Sequence, residues 1–229
     1  SEALDALEEA ETAGLVADAG APGRFTFAHA LVRQTLEEEL TSLRRLHLHR
    51  ALALATEARW GDGAGPRSAE LARHWREAAV LGDAERLRAA HHAERAARQA
   101  MDRFAYEEAA AVLEATVEVL DGSSDPEVGR AEDELLSLLF LCRLQGFELL
   151  ACSDACRRRL ARARRAGDHV AFGDAAAVLS WSLIGRQPTA ADLVAFEEAV
   201  ELDVSAAALS GRRMLNFFGE WEERDVAHH

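Results

Sequence analysis

The chain has 229 residues, 49% of them hydrophobic, and a formal net charge of -14, so it is large and apolar enough to fold around its own core. A surface this acidic repels phosphate backbones and argues against direct binding of nucleic acid. All 26 basic residues are arginines, a compositional bias that is typical of GC-rich genomes such as those of actinobacteria. Proline is scarce at 4, which with abundant alanine, leucine and glutamate predicts helix almost throughout.

The N-terminal segment predicts a helix, a hairpin and a second helix. The first helix is expected over residues 3–13 and stops at Gly14. The stretch LVADAGAPGRFTF then predicts two short strands around a Gly/Ala/Pro turn. The aromatic alternation of Phe25 and Phe27 changes to a helical period at Ala30, which places His29 at a strand-to-helix junction. This order is typical of the end of a winged-helix unit.

The rest of the chain predicts only helices with short loops. Caps mark several of their ends, such as Asp125-Pro126 and the capping-box variant formed by Thr189 and Asp192. The expected helices cover residues 30–40, 41–60, 68–80, 83–101, 104–120, 125–147, 153–166, 168–184, 190–202 and 205–221. The predicted fold is therefore all-α with one β-hairpin. Its expected domains are the end of a winged helix over residues 1–40 and a helical array over residues 41–229.

Three predicted helices share a spacing that resembles the second helix of a tetratricopeptide repeat. Small residues at these positions let paired helices approach closely, and a large one fills the gap between neighbours. The positions are Ala109, Leu113 and Thr116, then Cys156, Leu160 and Ala163, then Asp192, Phe196 and Ala199. The intervals of the repeat are irregular and its first-helix signature is missing, so ordinary helical-bundle packing is the alternative interpretation.

No constellation of catalytic or metal-ligating residues is apparent. Without lysine the chain has no phosphate-binding loop of the Gly-x-x-x-x-Gly-Lys type, and it has no Gly-x-Ser-x-Gly elbow. Cys152 and Cys156 lie one helical turn apart but lack a second ligand pair, so we expect them to pack between helices. We therefore predict a non-enzymatic protein that holds no metal and no cofactor. Its odd number of cysteines favours reduced thiols in the cytoplasm, and its longest apolar stretch is too short and too charged to span a membrane.

The stretch ALDALEEAETAGLVADAGAPGRFTFAHALVRQTLEEELTSLRRLHLHRALALATE, over residues 3–57, resembles the region after the ATPase core of large LuxR-type transcriptional regulators of the STAND class. Residues 70–120 continue the resemblance. It implies an ATPase upstream, which would bind ATP or ADP, and a helix-turn-helix downstream. The helical repeats would be a sensor or scaffold that receives a protein or a small-molecule inducer. A regulatory tail of a nucleotide-cyclase protein and a free-standing interaction scaffold are the alternatives.

The resemblance also suggests a role for His29. It occupies the place of the histidine in the Met-His-Asp motif of the class, which reaches the phosphates of bound ADP. Here Ala28 and Ala30 replace the methionine and the aspartate, so only the histidine corresponds. The alternative is a hinge residue that packs under the hairpin.

Two sets of residues are candidates for partner contacts. Repeat arrays bind on the concave face lined by their first helices. The expected contacts there are Arg73, Arg76 and Glu77, then Arg88, His92 and Arg95 one array step further on. The last predicted helix carries an apolar stripe that predicts self-association as a homodimer, formed by Leu215, Phe217, Phe218 and Trp221.

Overall fold

The computed structural model describes residues 2–20, 24–61, 67–183 and 186–202. Its contacts divide the chain into two compact units, residues 1–48 and residues 49–229. The division falls inside a continuous helix, and the predicted domain boundary at residues 40 and 41 stays a prediction.

The first unit contains the predicted helix, hairpin and helix. Helix α1 (Glu2–Thr12) precedes strands β1 (Val16–Asp18) and β2 (Phe25–Phe27), and helix α2 is Ala30–Glu39. The strands are antiparallel, and Val16 pairs with Phe27. Gly14 ends α1 with a φ of 71°, which an L-residue would adopt only with strain, while the Leu15 amide closes the turn on the Ala10 carbonyl. The hairpin is confirmed at the predicted place.

The second unit is built from helices alone within the residues that the structure describes. Helix α3 (Ser42–Trp60) enters it from the first unit, and a 3₁₀ turn (Ala79–Leu81) extends the helix that follows. The other helices are α4 (Ser68–Ala78), α5 (Asp83–Met101), α6 (Tyr106–Leu120), α7 (Pro126–Gln145), α8 (Leu149–Ala166), α9 (His169–Ser182) and α10 (Ala190–Glu201). The all-α fold with one hairpin is thereby confirmed. The predicted helix over residues 205–221 lies outside the described residues.

Capping side chains fix several helix starts where the sequence predicts them. The Asp125 carboxylate accepts hydrogen bonds from the Glu127 and Val128 amides at the start of α7. Thr189 and Asp192 form the complete capping box of α10. Helix α8 begins at Leu149, earlier than the predicted residue 153, because the turn that follows α7 is only three residues long.

Consecutive helices pack side by side from α4 to α10, and α5 also contacts α7. Arg157 and Arg164 on α8 pair with Asp192 and Glu198 on α10 in the same order along both helices. Helices α8 and α10 are therefore parallel, as alternate members of an antiparallel array must be.

The predicted repeat positions form part of the core. They lie on α6, α8 and α10, that is, on every second helix. All nine side chains are buried: Ala109, Leu113, Thr116, Cys156, Leu160, Ala163, Asp192, Phe196 and Ala199. The spacing therefore identified a packed face of each helix, and the alternation fits paired helices stacked in one direction.

The described helices include none that is long and apolar enough to cross a membrane.

Two exposed phenylalanines lie at unusual backbone positions where α5 and α7 end. Phe104 and Phe147 both have a φ of 60°, a conformation that normally favours glycine. The amides of Phe104 and of the next residue bond to the Met101 and Ala100 carbonyls, which is the Schellman pattern, and Phe147 repeats it. The side chains are 79% and 90% exposed, so burial of the rings does not offset the backbone strain of the positive φ.

We expect Phe147→Gly to raise the free energy of unfolding by about 1 kcal/mol, because glycine adopts a positive φ without the clash of a Cβ atom. Urea denaturation followed by circular dichroism measures the change. Phe147→Ala is the control, since it removes the same ring but keeps the Cβ and should bring no gain. An equal gain from both variants would attribute the effect to the exposed ring and not to the backbone.

Candidate functional site

The carboxylate of Glu57 joins three helices of the second unit. Its Oε1 accepts a hydrogen bond from Trp75 Nε1 at 2.8 Å and lies 2.8 Å from His92 Nε2. Its Oε2 accepts from Arg88 Nη1 at 2.5 Å. Glu57 lies on α3, Trp75 on α4, and Arg88 and His92 on α5. One acidic side chain therefore fixes the arrangement of α3, α4 and α5 at this place.

Packing supports the same cluster. Trp75 is 1% exposed and lies in an apolar core with Ala53 and Leu71. The Arg88 guanidinium lies over the indole ring, 4.8 Å from its centroid. A buried indole needs an acceptor for its N–H, and Glu57 supplies it. The cluster is thus anchored by apolar burial on one side and by charge pairing on the other.

His92 is buried in this cluster with one ring nitrogen unused. It is 6% exposed, and its Nδ1 has no hydrogen-bond partner in the described part of the chain. Burial lowers the pKa of His92, although Glu57 acts to raise it. A neutral ring that donates from Nε2 to Glu57 leaves Nδ1 as an unoccupied acceptor.

A groove of about 400 Å³ opens beside the cluster. Its lining includes Arg88, His92 and Arg95, three of the predicted contact residues, together with Glu57 and His91. Arg88 and His91 are exposed, and Arg95 is half-buried with no acidic partner in the described residues. The groove combines surplus positive charge with donors, so it suits an acidic group of a partner. We call it the α3–α5 groove.

The other three predicted contact residues lie elsewhere on the array. Arg73, Arg76 and Glu77 are on α4 and do not line the α3–α5 groove. Helices α4 and α5 are consecutive and pack against each other, so the two sets cannot occupy matching first helices one array step apart. That part of the prediction is wrong, because the repeat spacing on α6, α8 and α10 makes α5 a first helix and α4 a second one. His92 also offers little surface to a partner, since the cluster encloses it.

A second histidine pair links α3 to α4. The Nδ1 atoms of His49 and His74 are 2.9 Å apart, and Arg73 Nη2 lies 3.3 Å from His74 Nε2. Because arginine can only donate, His74 accepts at Nε2 and carries its proton on Nδ1, facing His49. Burial lowers the pKa of His74, and the charges of Arg73 and His49 lower it further. This arrangement therefore favours the neutral imidazole of His74.

These two histidines predict loss of stability in mild acid. Their folded pKa lies below the ordinary value of 6.5, so the unfolded chain binds protons more readily just below that pH. Their contribution to stability is complete above pH 6.5 and is lost as the pH falls through the folded pKa. We expect the double variant His74→Gln, His92→Gln to lose less free energy of unfolding than the parent between about pH 7.5 and about pH 5.5.

Urea denaturation at both pH values measures this difference, and the exposed His47 provides the control as His47→Gln. That control should keep the pH dependence of the parent. A double variant that loses as much stability in acid as the parent would contradict the prediction.

His29 lies on the surface and does not pack under the hairpin. It is the N-cap residue of α2, with φ -136° and ψ 138°, and its side chain makes no capping hydrogen bond. Its exposure shows that the expected hinge packing is wrong. The strand-to-helix junction was placed correctly, but three-residue strands leave too little hairpin to cover an imidazole. The implied contact with ADP phosphates stays a prediction.

The cysteines are packing residues. Cys142, Cys152 and Cys156 are all buried and free. Burial raises the pKa of Cys142 to about 11 and that of Cys156 to about 12, so their thiols stay protonated at neutral pH. Within the described residues no group of three His, Cys, Asp or Glu side chains could hold a metal ion.

No protein-family model, curated protein or solved structure matches this chain.

Sequence reasoning missed Glu57, the residue that organises the site. A signal was present: Trp75 occurs in a strongly amphipathic helix and needs an acceptor once buried. Which of the 40 acidic residues would supply it depends on how α3 packs, and no local pattern specifies that. The predicted apolar stripe of Leu215, Phe217, Phe218 and Trp221 lies outside the described residues.

Proposed function

We propose that this chain is the sensor or scaffold region of a STAND-class, ATP-dependent transcriptional regulator. The observation that supports the proposal is the order of its elements: a hairpin, a helix that opens at His29, and then a sequentially packed helical array. A resemblance over residues 3–57 predicts this order. The array has no catalytic role in the proposal, and it transmits the binding of a protein or inducer to an ATPase encoded upstream.

The α3–α5 groove is the proposed contact for the partner. Arg88 and Arg95 line it, and Glu57 compensates only one of these charges. Charge complementarity in an otherwise acidic chain favours a partner that presents carboxylates, because steering by opposite charge speeds the encounter and disfavours basic competitors. A protein segment rich in Asp or Glu fits this requirement.

The open reading frame that contains this chain provides the direct test. The proposal requires a Gly-x-x-x-x-Gly-Lys-[Ser/Thr] loop upstream in the same frame and is supported further by a helix-turn-helix downstream. A cyclase domain upstream would instead assign the chain to the tail of a nucleotide-cyclase protein. A frame without any ATPase would identify a free-standing interaction scaffold and would overturn the proposal.

The chain itself should bind neither ATP nor ADP, because it has no lysine to neutralise the β- and γ-phosphates. Isothermal titration with each nucleotide and magnesium is the measurement. Micromolar affinity that disappears in His29→Ala would show that the nucleotide site lies within this chain.

A further inference from the structure

A second cavity lies where the α6–α7 loop meets α8. Its volume is about 510 Å³, and Ser124, Gly129, Glu132, Arg162 and Arg165 are among the residues that line it. It shares no lining residue with the α3–α5 groove. We call it the Arg162 pocket.

The Arg162 guanidinium is enclosed but has unused donors. Its side chain is 11% exposed, and its buried Nε makes no hydrogen bond to any residue that the structure describes. Its Nε lies 3.5 Å from Glu132 Oε2 and its Nη1 lies 3.7 Å from Asp133 Oδ1. Asp133 is already engaged, since Arg159 bonds to both of its oxygens at 3.0 and 3.1 Å. An enclosed guanidinium that has only two long ion pairs is stabilised when another molecule supplies an acceptor at hydrogen-bond distance.

Gly129 keeps the guanidinium at this position. A Cβ atom built on Gly129 would lie 3.0 Å from Arg162 Nη2, so the guanidinium rests directly against the backbone of α7. Glycine in the interior of a helix costs about 1 kcal/mol relative to alanine. The space beside α7 that this glycine leaves open is filled by the guanidinium of Arg162.

The other charged side chains around the pocket already have partners. Asp121 pairs with Arg165 at 2.7 Å, and Asp125 caps α7. Arg162 and Glu132 remain, and the ion pair that joins them is long, at 3.5 Å. Burial raises the pKa of Glu132, although Arg162 acts to lower it, so this carboxyl gives up its negative charge more readily than an exposed one.

We propose that the Arg162 pocket binds a small monoanionic carboxylate that also carries a hydroxyl or ammonium group. The guanidinium takes the carboxylate through its Nη donors, and Glu132 accepts the hydrogen bond of the ligand's donor. A dianion such as phosphate fits less well, because it would face the Glu132 carboxyl with twice the charge. This site does not depend on the proposed regulatory function.

Isothermal titration of the chain with L-lactate, L-serine, propionate and inorganic phosphate tests the ligand class. We expect lactate or serine to bind about fivefold more tightly than propionate, which lacks the donor for Glu132. Tighter binding of phosphate than of any carboxylate would overturn the proposed class. Heats that never exceed dilution with any of the four probes would overturn the site.

Three variants test the assignment to Arg162. Arg162→Gln should weaken binding by about tenfold or more, whereas Arg158→Gln, an exposed neighbour on α8, should not change it. Gly129→Ala should displace the guanidinium and weaken binding while the helix gains propensity, so circular dichroism should show an intact fold. If the Arg162→Gln protein does not fold, the Gly129→Ala measurement decides. Unchanged affinity in the folded variants would overturn the proposal.

Discussion

Trp75→Ala should lower the free energy of unfolding by about 3–5 kcal/mol, the range found when a large aromatic side chain is removed from a packed core. Trp75 is 1% exposed and lies in an apolar core beside Ala53 and Leu71. The substitution also removes the N–H donor to Glu57 and the ring beneath the Arg88 guanidinium. The α3–α5 groove should lose its shape together with this core.

Two further variants separate the contributions to that result. Trp75→Phe keeps much of the apolar volume and removes the hydrogen bond to Glu57, and should cost about 1 kcal/mol beyond the change in packing. Trp181→Ala is the matched control, because Trp181 is 65% exposed and its loss should change stability by less than about 0.5 kcal/mol. Urea denaturation followed by circular dichroism is the measurement. Similar losses from Trp75→Ala and Trp181→Ala would contradict the burial on which the site depends.

Helix positions were predictable because their signals are local. The capping pair at Asp125 and the box formed by Thr189 and Asp192 each satisfy amides within three residues, so the sequence alone contains the whole interaction. Gly14 and Gly167 end their helices at a positive φ for the same local reason. The repeat spacing on α6, α8 and α10 also found buried faces, since close packing selects residue size on each helix separately.

The turns after α5 and α7 were less predictable. Phe104 and Phe147 occupy the positions where glycine normally permits a positive φ, so the stop signal of the sequence is missing there. The prediction for α6 consequently started at residue 104, although the helix begins at Tyr106. A strained backbone that carries an exposed ring twice in matching turns is visible only in three dimensions.

The candidate sites depend on long-range pairings, which local patterns do not specify. Glu57 meets Trp75 and His92 across three helices, and Arg162 meets Gly129 across two. Six arginines occur within residues 157–165, and the sequence gives no reason to single out Arg162 among them. Its surroundings distinguish it: Arg158 is exposed and Arg159 bonds to both oxygens of Asp133, whereas Arg162 is 11% exposed and has only two ion pairs of 3.5 Å or longer.

Arg157 pairs with a buried carboxylate on another helix, and its loss should have the second large effect. Its Nε and Nη2 each donate to Asp192 at 2.9 Å, and Asp192 is 2% exposed. Burial alone would raise the pKa of Asp192, but hydrogen bonds from Arg157 and Thr189 hold it below its ordinary value. The carboxylate is thus charged, buried and dependent on one cation.

Arg157→Ala should therefore lower the free energy of unfolding by about 2 kcal/mol, less than for a fully buried pair because the Arg157 side chain is 37% exposed. Adding Asp192→Asn should cost little more, since it removes the charge that the first substitution left unpaired. Arg158→Ala, an exposed neighbour, is the control and should change little. Urea denaturation of the single and double variants measures the coupling. Strictly additive losses would show that the two side chains contribute independently and would contradict the coupling on which this prediction depends.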